Sequence, residues 1–189
     1  KEPLDLPVAF SEKQGLLIRS MVGVIQTKPN LRQVVCEALG NLCEEANYPK
    51  TVIQSKTANG NKKALSNFGR KVLKELLDTY LKLQIEGNKN EANHVLKLIV
   101  QYAEVCESEA VSFTFTTSVK RLLELNNQGK EKCFGHYNEM LGLVELAAAF
   151  VPLVHVTMLD QVLGIFSPML INGISSLPKS SLHTIQKIS

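Results

Sequence analysis

The sequence has 189 residues, of which 44% are hydrophobic, 21% charged and 6% aromatic, and its formal net charge is +3. This balance is typical of a folded globular domain, and it excludes intrinsic disorder, a collagen-like repeat and a disulfide-dense miniprotein. The net charge alone is too small to indicate a nucleic-acid or anionic-membrane partner. Four cysteines are too few for a disulfide framework, which favours a reducing, intracellular location, nuclear or cytoplasmic.

Apolar residues recur at helical spacing along nearly the whole chain, which predicts an all-α fold. A capping box at Ser11 and Gln14 marks the first helix, and Pro49 marks the end of the second, because proline disfavours helical geometry in the residue before it. The predicted helices cover about 11–27, 31–47, a short third one to 54, 65–85, 91–106, 118–126, 131–150 and 156–171, with a last one beginning near Ser180.

Residues 55–63 interrupt this helical pattern. Asn59, Gly60 and Asn61 lie at their centre, and such residues tolerate left-handed backbone conformations and compete with helical hydrogen bonds. The sequence therefore predicts an exposed loop over 55–63.

Grouped in pairs, the predicted helices open antiparallel hairpins near residues 11, 64, 113 and 155. We expect a single domain over 1–189. The chain begins without Met and stops inside an amphipathic stretch, so we also expect it to be a fragment of a longer protein.

Residues 30–47 resemble the third helix of an armadillo repeat, in which Ala-Leu-x-Asn-Leu is the recurrent core and which here reads Ala38-Leu39-Gly40-Asn41-Leu42. The rest of the chain is similar to HEAT repeats in the spacing of its hairpins. The resemblance implies hairpins stacked as a short HEAT/armadillo-like α-solenoid, with a compact multi-helix bundle as the alternative. It also implies that Asn41 can hydrogen-bond the backbone of an extended peptide; the alternative is a capping or solvated Asn41.

Sequence signatures of catalysis are absent. The chain has no nucleophile elbow, no Walker glycine loop, no G-x-G-x-x-G and no H-E-x-x-H motif. Cys133 and His136 form a C-x-x-H pair, but zinc needs four ligands and no second close pair exists. We therefore expect no enzyme activity, no cofactor and no metal site.

The apolar stretch after Met140 also lacks the character of a membrane span. Glu145, Pro152, His155 and Asp160 interrupt it before it reaches the length of a transmembrane helix. We therefore expect no membrane association.

Charge is distributed unevenly. Residues 50–74 contain seven basic residues and no acidic one, whereas the rest of the chain has fourteen basic and eighteen acidic residues. On a helical wheel the cations at 63, 70, 71 and 74 share one side, opposite the apolar residues at 65, 68, 72 and 76. No aromatic residue interleaves the basic side, which argues against stacking of single-stranded bases.

Two functions follow from these patterns. The first is a non-enzymatic scaffold or adaptor that binds a protein partner within a larger assembly. The alternative is a nucleic-acid-associated helical module whose cations contact phosphates, and a solvated face with no partner is the third reading of the basic residues. The candidate binding residues are Lys62, Lys63, Arg70, Lys71, Lys74 and Asn41.

Overall fold

The computed structural model of the chain describes residues 6–49, 52–126, 136–160 and 162–164. In these parts all regular secondary structure is helical, which confirms the predicted fold class. The described helices are α1 (Leu6–Thr27), α2 (Pro29–Asn47), α3 (Val52–Asn67), α4 (Gly69–Ile85), α5 (Lys89–Val105), α6 (Ser108–Asn126) and α7 (Tyr137–Phe150), followed by a 3-10 turn at Val151–Leu153.

The chain forms two compact units, Lys1–Leu153 and Val154–Ser189, where the sequence analysis expects a single domain. All seven labelled helices belong to the first unit. In the second unit the described backbone is helical at 156–160 and 162–164, in agreement with the helix predicted from residue 156. The predicted helix start near Ser180 lies outside the described residues.

The loop predicted over 55–63 is wrong, because these residues lie inside α3. Local preference for a turn is outweighed by tertiary contacts: Ala64 and Leu65 are buried, and the Tyr102 hydroxyl donates a hydrogen bond of 2.7 Å to the Leu65 carbonyl. α3 packs against α1, α2 and α5. A Cβ added at Gly60 would meet nothing within 4 Å, so this glycine serves no close approach.

Two further helices begin away from their predicted starts. α1 begins at Leu6 and α6 begins at Ser108, ten residues before the predicted start at 118. In α6 the buried positions follow helical spacing, with Val111 and Phe115 buried and Phe113 exposed between them in the sequence. The predicted start of α7 near 131 lies outside the described residues.

The joint between α4 and α5 is short because the end of α4 satisfies its own carbonyl groups. Gly87 has a φ of 77°, which is a left-handed conformation that favours glycine. The N–H of Gly87 donates to Gln84 O, and the N–H of Asn88 donates to Leu83 O. These two hydrogen bonds end α4, and the chain then turns into the antiparallel helix α5.

α2 and α5 pack against each other in parallel. At their beginnings, Arg32 forms an ion pair with Glu91. Further along, the backbone of Gly40 approaches the side chain of Gln101 so closely that a Cβ at Gly40 would lie 2.4 Å from Gln101 Oε1. The starts of α2 and α5 are therefore in contact. Since α2 follows α1 in one hairpin and α5 follows α4 in the next long hairpin, the second helices of these two hairpins lie side by side.

α4 and α6 are also in contact, at their starts. Gly69, the first residue of α4, packs against Cys106 and Ala110, and a Cβ at Gly69 would lie 2.6 Å from Cys106 Sγ. Arg70 lies over the ring of Phe113 one turn further along α6. The beginnings of these helices are thus in contact, which places the first helices of two successive hairpins side by side.

A polar network attaches α7 to α4. The buried Tyr80 hydroxyl lies 3.0 Å from Glu145 Oε2 and 3.2 Å from the Gly142 carbonyl, and Gln84 Nε2 donates to both Tyr80 Oη and Glu145 Oε2. A Cβ at Gly142 would lie 2.8 Å from Gln84 Cγ, so the two helices approach closely there. Burial raises the pKa of Tyr80, and its hydroxyl therefore remains a donor at neutral pH.

Candidate interaction surface

The predicted cations lie on two helices rather than one. Lys62 and Lys63 are exposed near the end of α3, and Arg70, Lys71 and Lys74 are exposed in the first two turns of α4. We call these five residues the basic surface. The prediction of a single helix over 65–85 is wrong at its start, because α3 ends at Asn67 and α4 begins at Gly69. One residue lies between the two helices.

That residue is Phe68, with a φ of −102° and a ψ of 3°. Its half-buried ring lies against Gly15 of α1, where an added Cβ would come within 2.5 Å of the ring. The Phe68 N–H donates to Leu65 O over a three-residue span, and the regular four-residue pattern resumes with Val72 N–H donating to Phe68 O. Packing on α1 thus fixes the joint between α3 and α4.

The predicted facing is confirmed for three of the four apolar residues, whereas Phe68 is half-buried at the joint. The apolar residues opposite the cations, Leu65, Val72 and Leu76, are 3%, 2% and 0% exposed. The cations face away from this core, and among the described residues only Lys71 of the five has an ion-pair partner, Glu75 at 3.9 Å.

The first turn of α4 carries cations and no acidic residue. No side chain caps this helix, and its first turn contains no acidic residue. The free N–H groups at a helix start act as a partial positive charge, which acidic side chains usually offset. The carbonyl end of α3, which stops at Asn67, lies at the same joint and offsets this partial charge, so the side chains of Arg70 and Lys71 supply the positive potential that favours an anionic partner.

Two residues that the sequence analysis did not assign lie at the joint. The Arg70 guanidinium carbon lies 3.8 Å from the centre of the Phe113 ring, and the Arg19 guanidinium carbon lies 5.0 Å from the centre of the Phe68 ring. Both arginines are exposed. Arg19 adds a cation from α1, and Phe113 supplies the aromatic ring that the sequence around the cations lacks. The feature that marks Phe113 within α6 is that it is a large apolar side chain exposed at the surface.

Asn41 is not part of this group. It is exposed on α2, a helix that carries none of the five cations, next to the buried Leu39 and Gly40. The structure therefore divides the predicted site residues into the basic surface and a separate position on α2.

Three cysteine thiols are held in their protonated form. Burial raises the pKa of Cys36 to about 11 and those of Cys43 and Cys106 to about 12. Removal from water is the largest cause in each, because it penalises the charged thiolate. Since the thiolate is the reactive species and the metal ligand, these thiols are poor nucleophiles and poor ligands at neutral pH.

His136, the histidine of the C-x-x-H pair, has a partner of another kind. Its Nδ1 lies 3.1 Å from Glu139 Oε2, and the other oxygen of this buried carboxylate accepts a hydrogen bond of 2.9 Å from Arg121 Nε. This cluster joins α6 to α7. Cys133 lies outside the described residues, and within the described ones no three His, Cys, Asp or Glu side chains are grouped as metal ligands.

None of the helices in the described part of the chain combines the length and apolar character needed to cross a membrane. Comparisons with protein-family models, with curated proteins and with solved structures return no match for this chain.

Proposed function

We propose that this chain is a non-enzymatic interaction scaffold or adaptor, a HEAT/armadillo-like segment of a larger intracellular assembly, nuclear or cytoplasmic, that binds a protein partner. The basic surface is the proposed contact. The observation that carries this proposal is that Lys62, Lys63, Arg70 and Lys74 are exposed and have no ion-pair partner among the described residues. Cations left unpaired around an uncapped helix start attract an acidic partner.

The packing of like helices supports the solenoid part of the proposal. In stacked hairpins, the first helices of neighbouring repeats lie side by side, and so do the second helices. The parallel contact of α2 with α5 and the contact between the starts of α4 and α6 fit this arrangement. α3 is an additional helix between the first and second hairpins, and armadillo repeats, which residues 30–47 resemble, contain three helices.

Site-specific photo-crosslinking tests the proposal. A photoreactive residue is placed at Lys74 in the full chain, and a matched one is placed at Lys82, which is also exposed on α4 but lies at its other end. The expected result is a discrete protein adduct from position 74 that position 82 does not give. Equal labelling from both positions, or an adduct that nuclease removes, would contradict a protein partner at the basic surface.

A nucleic-acid-associated module is the second candidate, and the exposed cations Lys63, Arg70 and Lys74, which have no ion-pair partner among the described residues, are the observation that favours it, because each can contact a phosphate. Each phosphate that a cation neutralises contributes about one unit to the slope of log K against log salt. The triple variant Lys63→Glu/Arg70→Glu/Lys74→Glu is expected to lower both affinity and slope for a short DNA or RNA if this function holds. An unchanged slope would exclude the basic surface from nucleic-acid binding.

A further inference from the structure

Arg70 differs from the other cations of the basic surface because its charged group is held against a ring. The distance of 3.8 Å from its guanidinium carbon to the centre of Phe113 is a van der Waals contact with the ring face. Phe113 is 41% exposed, so the contact lies at the protein surface. Lys62, Lys63 and Lys74 have no such contact among the described residues, and they are long side chains with free rotation.

Phe113 lies on a part of α6 that packs against the start of α4. Gly69 and Ala110 pack together where α4 meets α6, one residue before Arg70 and one turn before Phe113. Val111 and Phe115 on either side of Phe113 are buried. The contact with the Phe113 ring favours one position of the Arg70 head before a partner binds, which lowers the conformational entropy lost on binding.

When a guanidinium rests on a ring, one flat face of the guanidinium contacts the ring and the edge of the guanidinium stays free. The edge carries N–H donors in a planar fork that matches the two oxygens of a carboxylate, whereas a lysine ammonium is a point charge. No acidic side chain among the described residues pairs with Arg70. This fork is the one preorganised anion-binding group of the basic surface in the described part of the chain.

We propose that Arg70, held by Phe113, is the residue that determines specificity at the basic surface, and that it binds a carboxylate of an acidic protein segment through two parallel hydrogen bonds. The lysines add attraction that depends on charge alone. This inference rests on the proposed scaffold function and names its partner chemistry. An acidic protein is favoured over single-stranded nucleic acid because the face of Phe113 that Arg70 covers is closed to base stacking.

The test uses the full chain and two labelled probes, decaglutamate peptide and a single-stranded oligothymidylate of matched charge, at one salt concentration. Arg70→Lys keeps the charge and loses the fork, and Phe113→Leu keeps apolar volume and loses the ring. Each is expected to weaken decaglutamate binding about fivefold, close to the effect of Arg70→Ala. Lys82→Ala, which removes an exposed charge at the other end of α4, is expected to change it by less than about twofold.

Unfolding temperatures of all variants are measured in parallel, so that loss of binding is separated from loss of folding. If Arg70→Lys binds decaglutamate as the wild type does, the specificity role of Arg70 is overturned while protein binding by charge stands. If the wild type binds only the oligothymidylate, both this inference and the proposed protein-binding function are overturned.

Discussion

The contact between α2 and α5 and the joint between α3 and α4 both contain arginines, but they place them differently. In the first, Arg32 is 6% exposed, its Nε donates a hydrogen bond of 2.7 Å to the Ile25 carbonyl, and its guanidinium also pairs with Glu91. In the second, Arg19 and Arg70 are exposed and rest on aromatic rings.

This difference separates two roles of charge in one fold. Arg32 satisfies groups inside the protein: its Nε donates to the Ile25 carbonyl near the end of α1, and its guanidinium pairs with Glu91 of α5, so these donors are used by the structure. The donors of Arg70 are not used by the described structure. We therefore expect substitutions in the first region to change stability, and substitutions in the second to change binding.

The largest expected effect on stability is at the buried side of α2. Leu39→Ala should lower the free energy of unfolding by about 2–5 kcal/mol, because Leu39 is fully buried and its loss leaves a cavity. Leu31→Ala on the same helix is the control, since Leu31 is 51% exposed, and it should cost much less. Chemical denaturation measures both, and equal losses would mean that α2 faces the core differently.

A smaller effect is expected where α4 meets the joint of α5 and α6. Gly69→Ala should lower the free energy of unfolding by about 1–3 kcal/mol, because the new Cβ would clash with Cys106 Sγ. Adding Cys106→Ala removes that sulfur and should recover part of the loss. A double-mutant cycle with no coupling between the two positions would contradict the close approach of these helices.

The third expected effect has the opposite sign and tests α3. Gly60→Ala should raise the free energy of unfolding by about 0.5–1 kcal/mol, because Gly60 lies inside a helix and an added Cβ meets nothing there. The measurement is again chemical denaturation. A destabilised variant would favour the turn that the Asn-Gly-Asn sequence predicts over the helix.

The smallest effect on stability per substituted position is expected at the basic surface. Arg70→Glu/Lys71→Glu/Lys74→Glu should change the free energy of unfolding by about 0.5 kcal/mol or less per position, since these side chains are exposed. Thermal unfolding measures this change against the wild type. A large loss would show that the cations serve folding, and the contrast with Arg32 would then fail.

The sequence was sufficient for the parts of the fold where apolar spacing is regular. The all-α class, the end of α4 and the exposure of Arg70 follow from periodicity within one helix, and the end of α2 follows from Pro49. α3 could not be predicted in the same way, because Asn59, Gly60 and Asn61 prefer turns locally, and contacts from distant residues such as Tyr102 favour the helix. Local propensity is weak compared with tertiary packing.

The candidate site was predicted in part for the same reason. Its cations stand out as a run of charge in the sequence, and their side of the helix follows from the wheel. Arg19 and Phe113 come from α1 and α6, and only the packing of these helices on the joint brings them to Phe68 and Arg70. A joint of one residue at Phe68 also has no turn signal, because Phe is not a helix-breaking residue.

The most direct measurement of the central claim is a calorimetric titration of decaglutamate into the wild-type chain and into the folded triple variant Arg70→Glu/Lys71→Glu/Lys74→Glu. The account predicts saturable binding by the wild type that weakens as salt rises, and no detectable binding by the triple variant. Equal binding by both proteins would contradict the assignment of the basic surface as the contact for an acidic protein partner.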